Sequence, residues 1–392
     1  MGCGASSVAP ALLPPTPDEM PAEPAFDLPL WNEISKGRLQ GVLSKQGRAG
    51  FTSRYRMQKE KLFTGSLADK ANLDKFSKVC IGDMKAYAPV LRAMVRMMHK
   101  TSIETVVIDG NAFIGDRTCA LRPAYTYDNS ALKILISKPK KIDDDGSGAP
   151  LLPGIVLASP IGVDGAPIEI WDWYGRLMAG AHRAVVANVA FRAARPETPL
   201  PAGMMDMLAG LKYMVAQASE LGIDPSRIAI ACQSAGAHVA CPLALELAAR
   251  EEAHLAKLVF MESPGPTPFG SQLLGPYDSM PPFFRFCMET VCKEQYTVMA
   301  GLETWETSFQ EKAQELHILD APEELLTKMP KHIILSAEFD DFRLIHEEYA
   351  AKLLACGVLL DFMILPGGCH QDVCTSLFAG KKWNVDTIRK HL

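Results

Sequence analysis

From residue 154 onward, short apolar runs alternate with longer stretches whose apolar residues recur at helical spacing. This alternation restricts the fold more than any other feature of the chain. The runs are "GIVLA" (154–158), "AVVANVA" (184–190), "IAIAC" (228–232), "KLVFME" (257–262), "HIILSA" (332–337) and "LDFMIL" (360–365). Helical spacing fills most of the gaps, at 201–221, 235–250, 343–356 and 371–391. Strands that are apolar on both sides must be covered on both sides, so the pattern predicts an α/β fold with a mostly parallel sheet between helices. Two more β-type runs, "ETVVID" (104–109) and "KILIS" (133–137), come earlier. Between 263 and 327 the alternation gives way to a Pro/Gly-rich stretch and then helical spacing. An insertion there falls over the C-terminal edge of the sheet, where such folds bind ligands.

Upstream of the alternation the chain changes character. Residues 8–26 hold six prolines and read as an extended linker, about 60 Å long if polyproline-like. Residues 27–130 are expected to be a mainly helical cap region, leaving 131–392 as the main domain. Within 36–61 there are eight Lys/Arg against one Glu, which reads as a solvated face or as a patch for anionic membrane. Met84, Tyr87, Leu91, Met94, Val95 and Met98 share one helical face, expected to pack on the main domain. The opening "MGCGASS" fits the N-myristoylation pattern, with Gly2 as acceptor and Ser6 in the required place. One myristoyl chain binds membranes marginally, and Cys3 offers a palmitoylation site as the second signal. The expectation is a cytoplasmic protein held peripherally at a membrane by this terminus. No apolar run is long enough for a transmembrane helix, and no secretory signal is read.

Composition excludes other classes. Net charge is −5 with a pI near 6.0, against the basic balance expected of a nucleic-acid binder. The ten cysteines are scattered; Cys287/Cys292 and Cys369/Cys374 have C-x4-C spacing but no further ligands at zinc-site distances. The aspartates of "KKIDDDGSGAP" lack EF-hand spacing and a closing Glu, so no metal is expected.

The chemistry gathers at strand ends. "IAIACQSAGAHVA" (228–240) is an apolar strand, a tight turn of small residues with Ser234 at its tip, and a helix start. A serine nucleophile needs a base, a carboxylate to orient that base, and donors for the oxyanion. In strand–serine–helix enzymes these follow in the order Ser, Asp/Glu, His. "SAEFDDFR" supplies Asp340 directly after one strand, with Asp341 beside it, and "LPGGCHQDV" supplies His370 after the next. Each alone reads equally as a surface residue; the combination is what carries meaning. Small residues are needed around the serine, and Gly236 meets that need, while Cys232 stands where the usual G-x-S-x-G pattern has its first glycine.

These segments resemble the hormone-sensitive-lipase-like (alpha/beta hydrolase-3) family. "LGIDPSRIAIACQSAGAHVA" is similar to that family's D-P-x-R lead-in and G-D-S-A-G-G elbow. "AFRAARPETPLPAGMMD" resembles its Y-R-L-A-P-E stretch, and "ILSAEFDDFRLIHEEYAAKLLACGV" and "LPGGCHQDV" resemble its acid and histidine segments. The resemblance spans about 130–392 and implies an α/β-hydrolase fold, with Ser234 as nucleophile, Asp340 as acid and His370 as base. It implies a carboxylic ester hydrolase, carboxylesterase- or lipase-like, acting on a small-molecule ester or lipid without a cofactor. Departures favour an alternative: a catalytically weak or idle hydrolase fold serving as a membrane-tethered binding or scaffold protein. The family's H-G-G-G oxyanion loop is replaced by Ser159-Pro160-Ile161-Gly162, and Pro160 has no N–H to give. Ala235 still offers an N–H, and Ile161, Gly162 or the Ser159 hydroxyl are candidates for a second donor. Leu344 replaces the family's second Asp in the acid segment.

Overall fold

The computed structural model describes residues 100–140, 150–160, 167–193, 198, 200–264, 321–337, 343–365 and 383–392. Eight strands form one sheet: β1 (Thr101–Ile108), β2 (Leu132–Pro139), β3 (Leu152–Ala158), β4 (Val185–Val189), β5 (Ile223–Ser234), β6 (Leu258–Pro264), β7 (Lys331–Ala337) and β8 (Leu359–Leu365). Their spatial order is β1-β2-β4-β3-β5-β6-β7-β8. β1–β2 and β2–β4 pair antiparallel, and every pairing from β4 across to β8 is parallel. All residues of β3, β4 and β6 are buried, as strands covered on both faces must be.

The helices are α1 (Gly110–Ile114), α2 (Asp172–His182), α3 (Leu200–Ala216), α4 (Ala218–Leu221), α5 (Ala237–Ala249), α6 (Glu323–Leu326), α7 (Arg343–Ala355) and α8 (Trp383–His391). Side chains alternate between two cores, following the two-residue period of the strands. Ala229 and Ala231 of β5 join Leu157, Phe260 and Leu335 under α2 and α8. Ile228, Ile230 and Cys232 join Val156, Met261 and Ile334 under α3, α5 and α7.

Three expectations change. The sheet begins at residue 101, inside the segment assigned to a preceding helical cap. Ile114, Cys119 and Tyr127 from that segment lie in the main core. Buried carboxylates hold it there. Asp206 of α3 accepts from Tyr127 Oη at 3.0 Å, Asn129 Nδ2 at 2.8 Å and Arg192 Nε at 3.0 Å. Glu246 of α5 accepts from the backbone N–H of Ala120 and Leu121 at 2.7 and 2.9 Å. Second, the helix expected over 201–221 breaks at Gln217, and its second piece ends on Gly222 with φ 72. Third, the helix expected from 235 starts at Ala237, because 233–236 form a turn. The linker, basic run and Met-bearing face expected before residue 100 lie outside the described residues, as does most of the insertion expected at 263–327.

Candidate active site

β5 delivers Ser234 to the C-terminal edge of the sheet with its backbone in the left-handed region, φ 46. A serine pays a steric penalty there that glycine does not, and such conformations persist where surrounding structure enforces them. The enforcement is visible. The register with β6 shifts between Gln233 and Ser234, so that Gln233 pairs with Glu262 but Ser234 pairs with Pro264. The chain then reverses at once: Gly236 N–H donates to Gln233 O at 2.9 Å, and α5 begins one residue later. Strand and helix can meet this closely only because residue 236 has no side chain. A Cβ there would lie 2.0 Å from Ala158 O and 3.1 Å from Ser159 O.

Cys232 does not stand at that close approach. It pairs with Ala158 on one side and Met261 on the other, and its side chain fills the core beneath α5 without exposure. Burial, and then the nearby Glu262 carboxyl, push its thiol well above the ordinary range, so it remains a neutral packing group. Ser234 and Ala235 are partly exposed. The N–H of Ala235 has no hydrogen-bond partner among the described residues.

Polar side chains that the sequence reading passed over lie under this edge. Glu262 is fully buried, and the Tyr174 hydroxyl of α2 donates to its Oε2. Glu262 Oε1 and the Nε2 of buried Gln233, its neighbour across the strands, have no partner among the described residues. Burial pushes the Glu262 carboxyl up to about 7, opposed by the Tyr174 hydrogen bond. The one available signal was a glutamate closing the apolar run "KLVFME". At the end of β3, buried Ser159 donates through Oγ to Asn188 Oδ1 at 2.7 Å, and Asn188 Nδ2 donates to Trp171 O at 3.3 Å. The Ser159 hydroxyl has only one hydrogen and spends it on Asn188, which removes it as a candidate oxyanion donor.

Asp340, His370, Ile161, Gly162, Gly2 and Cys3 lie outside the described residues. The strands before Asp340 and His370 are described: β7 ends at Ala337 and β8 at Leu365. Both run parallel to β5 and finish at the same edge as Ser234, two and three places along the sheet. Among the described residues, no three His, Cys, Asp or Glu side chains gather as a metal site. No described helix is long and apolar enough to cross a membrane.

A mostly parallel sheet with a strained serine between its central strand and the next helix defines an α/β-hydrolase. The alpha/beta hydrolase fold family (alpha/beta hydrolase-3) matches residues 166–373, just over half of the chain, and the protein belongs to that family. The carboxylesterase NlhH of Mycobacterium tuberculosis is 42% identical over 77 residues, a match covering 20% of this chain and 24% of that protein. The chain thus aligns with about a quarter of the length of this curated relative. Among solved structures, a bacterial heroin esterase superposes with TM-score 0.55 at 24% identity, over 83% of this chain and 92% of the other. The hyperthermophilic esterase of Pyrobaculum calidifontis gives TM-score 0.55 at 20% identity, over 86% and 96%. Carboxyl esterase 2 of the fungus Tuber melanosporum gives 0.55 at 16%, over 75% and 87%. These structural likenesses concern the fold.

Proposed function

We propose that the protein is a serine hydrolase of carboxylic esters. The observation that carries this reading is the φ of 46 at Ser234, a strained serine held at a strand–helix junction on the C-terminal edge of the sheet. His370 takes the Ser234 proton as Oγ attacks the ester carbonyl, and Asp340 orients the imidazole and stabilises its protonated form. Collapse of the tetrahedral intermediate breaks the C–O bond, and His370 returns the proton to the leaving alcohol. Water, deprotonated by His370, then attacks the acyl-enzyme, releasing the acid and restoring Ser234. The Ala235 N–H stabilises the oxyanion, with a second donor from the backbone of Ile161 or Gly162. The name of the Mycobacterium tuberculosis relative, a carboxylesterase, supports the reaction class. The substrate is a small-molecule ester or lipid, and acylation of Gly2 and Cys3 holds the enzyme at a membrane.

One observation favours a second reading, a catalytically weak fold used for binding. Pro160 has no N–H and the Ser159 hydroxyl is committed to Asn188, so the segment after β3 offers fewer donors than the family's glycine loop. Losing one oxyanion donor costs about 10²–10³ in rate, which slows a hydrolase without abolishing it. The test is hydrolysis of p-nitrophenyl esters from acetate to decanoate by wild type, Ser234→Ala, Asp340→Asn and His370→Gln. Turnover by wild type alone supports the enzyme. Equal rates in folded wild type and Ser234→Ala select the binding protein.

A further inference from the structure

His346 lies in the first turn of α7, is fully buried, and bonds to two other elements. Its Nε2 is 2.6 Å from the carbonyl oxygen of Pro264, at the end of β6. Its Nδ1 is 2.7 Å from Ser336 Oγ, in β7. A carbonyl oxygen only accepts, so Nε2 carries the hydrogen, and in the neutral ring Nδ1 accepts from the Ser336 hydroxyl.

Both contacts bear on the edge that holds Ser234. Pro264 is the register partner of Ser234, and it follows Ser263, a second non-glycine residue at positive φ (φ 40). Two strained serines thus sit side by side at the ends of β5 and β6, and the His346 bond fixes the carbonyl just beyond the second. Ser336 and His346 also flank residues 338–342, the segment that carries Asp340. A phenylalanine of similar shape would fill the space without desolvating two ring nitrogens. What the imidazole adds is two directed bonds to two neighbouring strand ends, one beside the nucleophile and one at the base of the acid segment.

We propose that His346 is a positioning residue, bridging Pro264 and Ser336 so that the ends of β6 and β7 keep a fixed spacing beside the nucleophile turn. It acts through the positions of Pro264 and Ser336, the partners of its two ring nitrogens. The inference rests on reading Ser234, His370 and Asp340 as the triad.

The test uses the full chain as wild type, Ser336→Ala, His346→Asn and His346→Gln. Asn keeps an acceptor near the Nδ1 position and loses the Pro264 bond, whereas Gln keeps a donor near Nε2. kcat and KM for p-nitrophenyl acetate are measured from pH 5 to 9, per active site counted by end-point fluorophosphonate labelling, with thermal melts to establish folding. The expected fall in kcat for His346→Asn is about 10- to 100-fold with KM nearly constant, the size that follows from a misplacement of order 1 Å. The ascending limb of kcat/KM moves to lower pH, because a carboxylate held further from His370 raises its pKa less. His346→Gln recovers part of the rate, and Ser336→Ala moves both quantities the same way with little risk to folding. Unchanged per-site kcat and an unmoved limb in folded Ser336→Ala and His346→Asn overturn the proposal alone. Wild type without Ser234-dependent turnover overturns the triad reading, and this proposal with it.

Discussion

Gly236→Ala adds one methyl group at the tightest point of the structure. Its Cβ would lie 2.0 Å from Ala158 O, 2.8 Å from Ala158 C and 3.1 Å from Ser159 O. All three are backbone atoms, so no side chain can swing aside. Ordinary contact begins near 3.4 Å, so the start of α5 and the end of β3 must part by about 1.4 Å. Overpacking typically costs about 1–3 kcal/mol, and a backbone obstacle puts this case at the upper end. The offset from a stiffer unfolded chain is at most about 1 kcal/mol. The displaced turn also carries Ser234 and Ala235, and about 1 Å of misplacement costs roughly 10² in rate. Gly175→Ala is the matched control. It lies inside α2, where a Cβ meets Asn188 Cβ at 3.5 Å, an ordinary contact. There the same substitution is expected to stabilise by about 0.5–1 kcal/mol through helix propensity. Urea denaturation gives both stabilities, and fluorophosphonate labelling per folded molecule gives the competence of Ser234. A Gly236→Ala protein as stable as wild type and labelled at the wild-type rate refutes the close-approach argument.

Two further outcomes follow from the same edge of the sheet. Glu262, pushed up to about 7 from an ordinary 4.5, favours the folded state in its protonated form. That contribution is fully present below pH 4.5 and is lost as pH rises to about 7, amounting to up to about 3 kcal/mol. Glu262→Gln should remove that slope; a wild-type-minus-variant difference that stays flat across the window contradicts it. Cys232→Gly restores the family's glycine but empties a buried site and loosens a central strand. It should destabilise by about 2–3 kcal/mol with per-site activity within a few-fold of wild type. A large gain in activity would mean that the glycine is needed at 232 after all.

Much of the architecture was legible because buried parallel strands must be apolar throughout, and six such runs stand out along 154–365. The antiparallel edge was harder to place. β1 shows one buried residue among many exposed ones, and its pairing with β2 depends on partners far along the chain. Ser234 was legible from local spacing, since strand, small turn and helix start are contiguous. The significance of Cys232 was not: whether glycine is needed two residues before the serine depends on what β3 presents, and β3 crowds residue 236 instead. Ser159 illustrates the same limit, because its engagement by Asn188 joins residues 29 apart in the chain. Tyr174–Glu262 and His346–Pro264 likewise join residues 88 and 82 apart in the chain, with no sequence period to announce them.

Whether Ser234 is a working nucleophile can be read straight from the position of a covalent adduct. The folded full-length protein is treated with a fluorophosphonate, digested, and the modified peptide located by mass spectrometry, with Ser234→Ala in parallel. One phosphonyl adduct on Ser234, lost in the variant, is the expected result. Unmodified Ser234 in folded wild type, or an adduct that persists in Ser234→Ala, would rule out Ser234 as the nucleophile.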